Sequence, residues 1–333
     1  MPAFRLVRDG TPLPADAYTS RIPWGGSAFD GIADVPRVAA EHARGATIVL
    51  QGMHLHWHPA ALFCRDLERR LGFPVQANAY LTPAAAQGFA VHHDTHDVFV
   101  LQVEGSKRWR IHAPLVELPL ADQRWSPELG AHLGEPVLDV TLTAGDTLYL
   151  PRGWPHEAVT DHADSLHLTI GLHPPTRLDA LRAALEECAG DVEFRRTPAA
   201  DGALPGDLLD RLAARLAPEA VAARARRRFV AGRRPIAGDQ LTQARAAGAL
   251  GAHDPVVRRE TVLADLAVED GAAVLCFEGK EVRFPARAAS AVGAVFAAAE
   301  EPFAAAGLPG PLDEAGRVVL VRRLVREGFL RLA

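Results

Sequence analysis

A strand-rich barrel or jelly roll, followed by a helical stretch and a mixed α+β end, is the architecture this 333-residue sequence predicts. Three observations carry that expectation. Between Thr47 and His173, short runs rich in Val, Leu, Ile, Thr and aromatics recur between Gly, Pro and Asp turns. After Pro175 the texture changes to Ala, Leu and Arg at helical spacing. The length also exceeds that of one average domain, so two or three units should each bury a core.

In chain order, the strand-like runs are TIVLQGMHLH, VQANAYLT, DVFVLQVEG, KRWRIHA, DTLYLP, EAVTD and LHLTIGLH. One helix interrupts them, PAALFCRDLERRLG, with Pro59 at its start and Gly72 after its end. Residues 1–175 are therefore expected to form one mainly β domain and 176–234 a helical segment. Residues 235–333 read as a mixed domain: AVLCFEGKEVRFP is a strand–turn–strand unit, RAASAVGAVFAAAEEPFAAAG a helix, and LDEAGRVVLVRRLVREGFLRLA a capped helix ending in a short strand.

Composition narrows the class. Hydrophobic residues make up 48% and charged residues 23%, as in ordinary globular proteins. The formal net charge of −5 argues against a generally nucleic-acid-binding surface. Cys64, Cys188 and Cys276 lie far apart without CxxC spacing, which fits a reducing compartment and no thiolate metal site. The first residues lack a secretory pattern, and no run approaches the roughly 20 apolar residues of a membrane helix. A soluble, cytoplasmic protein is expected.

The chemistry concentrates in VHHDTHDVFVLQVEGSKRWRIH (91–112). In a strand, residues i and i+2 share a face, so His92 and Asp94 project together and His93 points away. Downstream, GDTLYLPRGWPHEAVT brings His156 to the start of a strand after a Pro-Arg-Gly turn. Two imidazoles and one carboxylate on one face of an ion suit Fe(II) and leave positions for a cosubstrate and oxygen; Zn and Mn accept the same donors. His93 and His96 are rival ligands, although H-x-x-H spacing suits a helical turn better than a strand. Asp97 should cap the turn or lie outside. Lys107 shares a strand face with Trp109 and Ile111, opposite Arg108 and Arg110. A lysine there is either buried and in need of an anion, such as the far carboxylate of a dicarboxylic acid, or solvated at a barrel rim.

The succession NAYLTP (78–83), QGFAVHHDTHDVFVLQVEGSKRW (87–109), GDTLYLPRGWPHEAV (145–159) and SLHLTIGLH (165–173) resembles the JmjC-type ribosomal oxygenases, cupin-like Fe(II)- and 2-oxoglutarate-dependent protein hydroxylases. The likeness is close over residues 20–175. It implies a double-stranded β-helix, with His92, Asp94 and His156 as iron ligands and Lys107 paired to the 2-oxoglutarate C5 carboxylate. Asn78, Tyr80, His167 and Thr169 would line the pocket for cosubstrate and substrate, and His167 reads almost equally well as a core histidine. Over the remainder the likeness is one of layout, implying a dimerisation segment at 176–234, a winged-helix-like domain at 235–333, and a homodimer. The reaction implied is hydroxylation of an arginine or histidine side chain in a protein or peptide, plausibly a ribosomal protein, with O2 as second cosubstrate. Peptide natural-product tailoring and N-methyl-lysine demethylation use the same chemistry. A noncatalytic binding module is the reading from another class, and an intact triad with Lys107 speaks against it.

Two further features have simpler explanations. MHLHWHPA would put His54, His56 and His58 on one strand face, where a polar rim is expected rather than a second metal site. RARRRFVAGRR (224–234) reads as a solvated helix face and linker, with contact to nucleic acid left open. The last helix carries four arginines beside core-spaced Val and Leu, and a fold analogy alone gives it no DNA-binding role.

Overall fold

The computed structural model describes residues 3–198, 200–298 and 301–333. They fall into two compact units, one of residues up to Glu68 with Phe73–Pro174, the other of Arg69–Gly72 with Pro175–Ala333.

The first unit is built on a nine-stranded sheet of antiparallel pairs. Its strands are β1 (Phe4–Arg8), β2 (Thr11–Pro12), β5 (Thr47–Leu50), β6 (Val75–Thr82), β7 (Asp97–His112), β8 (Pro136–Thr143), β9 (Thr147–Leu150), β10 (His156–Val159) and β11 (Ser165–Leu172). A separate hairpin is formed by β3 (Thr19–Trp24) and β4 (Ser27–Ala33). Helices α1 (Val35–Ala43), α2 (Met53–His56), α3 (His58–Leu71) and α4 (Pro127–Gly130) complete the unit. This is the mainly β unit of antiparallel strands that the sequence leads one to expect.

Strand β7 organises the barrel. Its first half pairs with β11 and β9, and its second half with β8 and β10. The sequence reads these halves as two strands, but they are one 16-residue strand that changes partners at Gly105. Gly105 has φ +67, and a Cβ there would sit 1.8 Å from the Asp164 carbonyl oxygen. Only glycine allows the two chains to come so close. Beyond the bend, Lys107, Trp109 and Ile111 are buried, while Arg108 and Arg110 face outward to Asp139 and Glu157. Val98, Val100, Trp109, Ile111, Leu142 and Leu150 form the core between the halves.

Three local expectations need correction. TIVLQGMHLH is not a single strand: β5 stops at Leu50, Gly52 takes φ +62, and Met53–His56 is a helical turn. His54, His56 and His58 therefore do not share a strand face, and His54 Nδ1 instead accepts the Ala77 N–H at 3.2 Å. Strand β7 begins at Asp97, so His92 and Asp94 lie in the loop before it. The strands before Thr47 were not anticipated at all.

In the second unit, α5 (Arg177–Cys188), α6 (Gly206–Arg215), α7 (Pro218–Ala231) and α8 (Gln240–Ala246) come first. Then follow β12 (Pro255–Arg258), β13 (Ala264–Glu269), β14 (Ala272–Phe277), β15 (Lys280–Phe284), α9 (Ala289–Ala297), β16 (Phe303–Ala304), α10 (Glu314–Glu327) and β17 (Leu330–Leu332). They form two three-stranded antiparallel sheets around a core that includes Leu275, Phe277, Leu324 and Phe329. The helix expected over RAASAVGAVFAAAEEPFAAAG ends at Ala297, and 303–304 is strand. Ala299 and Glu300 of that run, and Ala199 of the helical segment, lie outside the described residues. The basic run is largely neutralised: Arg224, Arg226, Arg227 and Arg228 pair with Glu187, Asp265, Glu269 and Glu186.

Arg259 and Glu278 form a buried ion pair in this unit, and Arg259 also donates to the carbonyls of Gly328 and Ile236. Removing one partner strands the other charge in a dry interior. Arg259→Met is expected to cost about 3–5 kcal/mol, seen as a lower urea midpoint for the second unit.

Candidate metal centre and adjoining cavity

His92, Asp94 and His156 come together although 62 residues separate the last two. A backbone bridge does this: the His92 N–H donates to the His156 carbonyl at 3.1 Å, and the His156 N–H donates back at 2.8 Å. Gly153 N–H donates to the Asp94 carbonyl at 2.9 Å, and Arg152 N–H to the Asp97 carboxylate at 2.9 Å, which fixes the turn leading to His156. One ligand atom from each of the three side chains lies within 4.8 Å of the other two. Among the described residues no other group of three or more His, Cys, Asp or Glu does so.

Both histidines are oriented from behind. The His92 Nδ1 contacts the Ala90 carbonyl at 2.8 Å, and the His156 Nδ1 contacts the Trp154 carbonyl at 3.0 Å. A carbonyl can only accept, so both Nδ1 atoms carry the proton and both Nε2 lone pairs are free to ligate. Burial, and then the neighbouring His92, push the His156 pKa down to about 4 against the opposing pull of Asp94. The imidazole is thus in its neutral, ligating form at physiological pH. Two imidazoles and a carboxylate fit a divalent transition metal.

The rival histidines are otherwise engaged. His93 is buried, bonds the Gln123 carbonyl through Nε2 at 3.0 Å and meets Trp125 edge-on. His96 stacks on His173 with ring centroids 4.4 Å apart. All three cysteines are buried free thiols, and burial with the nearby Glu68 pushes the Cys64 thiol up to about 12.

A cavity of about 730 Å³ adjoins the triad within the first unit. Lys107 lines it and is only 4% exposed. Its Nζ donates to Thr82 Oγ1 at 2.9 Å, and burial pushes its pKa down to about 7. The rim alternative for this lysine is therefore wrong. Beside it, His167 Nδ1 and Trp109 Nε1 are buried without a hydrogen-bond partner, and both residues line the cavity. Burial and then the Lys107 charge hold the His167 pKa well below the ordinary histidine value. A buried ammonium beside orphaned ring nitrogens needs an anion with several acceptor oxygens, which a carboxylate supplies.

Strand register places the remaining candidates. Tyr80 is opposite His167 and Asn78 is opposite Thr169 on β6 and β11. The Tyr80 and His167 rings stack at 4.9 Å, and Asn78 Nδ2 donates to Thr169 Oγ1 at 3.4 Å. Burial, and then Asp94, raise the Tyr80 phenol pKa, so it remains a donor. All four residues line the cavity. Sequence reasoning missed Arg5, Phe89 and Glu157, which also line it. The alternation in FRLVR, with Leu6 packed against Tyr18 and Ala46 on the other face, is the signal that could have revealed Arg5.

Residues 53–180 match the JmjC domain family. A Drosophila persimilis protein named bifunctional lysine-specific demethylase and histidyl-hydroxylase NO66 is 43% identical over 146 residues, covering 43% of this chain and 21% of that protein. Human ribosomal oxygenase 1 is 39% identical over 163 residues, 46% of this chain and 24% of its own length. The chain thus spans under a third of the curated relatives it matches. Among solved structures, the Escherichia coli ribosomal oxygenase YcfD in complex with cobalt and 2-oxoglutarate superposes with a TM-score of 0.54 at 15% identity, over 98% of this chain and 85% of that one. That likeness is one of fold. Over residues 53–180 the chain is thus similar to JmjC domains, and the relatives it resembles there carry the names of ribosomal oxygenases and histidyl-hydroxylases.

Proposed function

We propose that the chain is an Fe(II)- and 2-oxoglutarate-dependent oxygenase that hydroxylates an arginine or histidine side chain of a protein, a ribosomal protein being the first candidate. One observation carries the reading: two histidines aimed from behind by backbone carbonyls meet Asp94 beside a cavity whose wall holds the buried Lys107.

His92, Asp94 and His156 would hold the iron. Iron(II) with 2-oxoglutarate and O2 supplies oxidative decarboxylation of the cosubstrate to succinate and CO2, coupled to insertion of one oxygen atom into a C–H bond. Lys107 would bind the far carboxylate, with Thr82 holding the ammonium in place. Tyr80, Asn78 and Thr169 present donors and acceptors that orient a substrate side chain. The apolar wall of Val98, Val100 and Leu150 excludes water from the cosubstrate end. A noncatalytic scaffold would have no use for a ligand triad next to a buried ammonium.

The proton on Lys107 gives a direct check. Its pKa lies at about 7 in the ligand-free protein, and a bound carboxylate must raise it. At pH 8, 2-oxoglutarate binding is expected to take up close to one proton, measured by calorimetry in buffers of different ionisation enthalpy. Binding without proton uptake would mean that Lys107 is not the partner.

The substrate is tested by intact masses of ribosomal proteins from wild-type and deletion strains. A difference of one oxygen on one protein supports the ribosomal reading. Loss of a methyl group would point to demethylation, and an unchanged ribosome to peptide tailoring. We further propose that residues 176–234 are a dimerisation segment of a cytoplasmic homodimer and 235–333 a winged-helix-like domain. Leu181 and Leu185, one turn apart on α5, are 47% and 54% exposed, which supports a covering partner helix. No helix among the described residues is long and apolar enough to cross a membrane.

A further inference from the structure

Among the described residues that line the cavity, Arg5 carries a charge that the chemistry above leaves unused. The antiparallel registers pair Arg5 with Val49, Val49 with Tyr80, and Tyr80 with His167. Residues directly opposite one another share a sheet face, so Arg5 stands in the cross-strand row of Tyr80 and His167, with its backbone ~10 Å from that of Tyr80. Its guanidinium rests over the Phe89 ring at 5.2 Å, and Phe89 in turn meets Tyr80 at 5.8 Å and the ligand His92 at 5.9 Å. Among the described residues Arg5 makes no ion pair or side-chain hydrogen bond, and its Nε is buried without a partner.

The acids of the cavity are already committed. Glu157 is taken by Arg110 at 2.8 Å and by Gln87 at 3.1 Å, and Asp94 belongs to the triad. An iron(II) ion, a 2-oxoglutarate dianion, Asp94 and protonated Lys107 balance to neutrality. The Arg5 charge is what remains. An unpaired guanidinium on the wall of a half-enclosed cavity carries a desolvation cost that an anion relieves, and its planar fork matches a carboxylate.

We propose that Arg5 is a substrate-anchoring residue that binds a carboxylate of the incoming polypeptide, so that preferred sequences carry an acidic group close to the side chain to be hydroxylated. The proposal rests on the oxygenase reading. The Phe89 ring under the guanidinium also meets Tyr80 and the ligand His92, so anchoring the carboxylate there sets how far the target side chain reaches toward Tyr80.

The test uses the full chain loaded with Co(II) and 2-oxoglutarate. The probes are fluorescent peptides centred on histidine or arginine, carrying Asp or Asn at each flanking position, with the C-terminus either amidated or free. The wild type is expected to bind at least one Asp peptide about tenfold tighter than its Asn twin, in line with one charge-assisted contact. Arg5→Gln should bring that ratio close to one, and Arg5→Lys should keep part of it. If the preference follows the free C-terminus instead, the carboxylate is that of a chain end and the anchor still holds. Cobalt and 2-oxoglutarate affinity, read separately, should be the same in wild type and both variants. The proposal is overturned if Arg5→Gln keeps the full preference, if its 2-oxoglutarate affinity falls instead, or if the wild type shows no acidic preference, failure to bind any peptide included. Failure of the wild type to bind cobalt with 2-oxoglutarate would instead overturn the oxygenase reading itself.

Discussion

Lys107→Met is expected to make the ligand-free protein more stable while removing 2-oxoglutarate binding. Burial lowers the Lys107 pKa from 10.5 to about 7, so the unfolded chain binds the proton more tightly than the folded one. That penalty is fully present below about pH 7, and stability recovers as the pH rises from 7 toward 10.5. At about 1.4 kcal/mol per pKa unit the penalty is on the order of 4 kcal/mol at neutral pH. Loss of the hydrogen bond to Thr82 returns about 1 kcal/mol of it. The net gain, on the order of 2–3 kcal/mol, corresponds to a rise of roughly 5 °C or more in Tm for a unit of this size. It should be largest at pH 6 and shrink toward pH 10. Affinity for 2-oxoglutarate should fall about 100-fold or more, because a buried carboxylate would lose its charge partner. A variant that loses stability across the whole pH range would place Lys107 among structural residues instead.

Gly105→Ala is expected to unfold the barrel, or nearly so. The left-handed φ alone costs about 1–2 kcal/mol for an L-residue, and the added methyl would collide with the Asp164 carbonyl where β7 meets β11. Neither partner is a flexible side chain, so the strands must separate, at a total cost above about 4 kcal/mol. Gly145→Ala is the control. Its φ is +98, but nothing lies within 4 Å of the added Cβ, so only the backbone cost of about 1 kcal/mol applies. Comparable urea midpoints for the two variants would show that β7 does not depend on close approach at Gly105.

The sequence makes some of this legible, and the limits have physical causes. Period-two alternation in KRWRIH separates buried Lys107, Trp109 and Ile111 from outward Arg108 and Arg110, because burial on one sheet face is a local pattern. The turn chemistry before His156 is likewise local, which is why its meeting with His92 and Asp94 could be anticipated. The strand alternation invoked for His92 and Asp94 gave a grouping that the structure brings about differently, through a single bridge to His156 in a loop. Gly52 shows a limit of another kind. Glycine is tolerated in a strand or in left-handed backbone, and nothing in TIVLQGMHLH says which, so the pattern extends the strand over a histidine run that lies beyond its end. Arg5 was out of reach because its place beside Tyr80 depends on the register of β1, β5 and β6, a long-range property no short window contains.

The central claim is that His92, Asp94 and His156 hold iron next to a Lys107-anchored 2-oxoglutarate. Fe(II) and 2-oxoglutarate added anaerobically to the full chain should produce the visible metal-to-ligand charge-transfer band of a chelated 2-oxo acid. The band should be absent from His156→Ala and Asp94→Ala and should need far more 2-oxoglutarate in Lys107→Met. A wild-type chain that gives no band, or a His156→Ala variant whose band matches the wild type, contradicts the account.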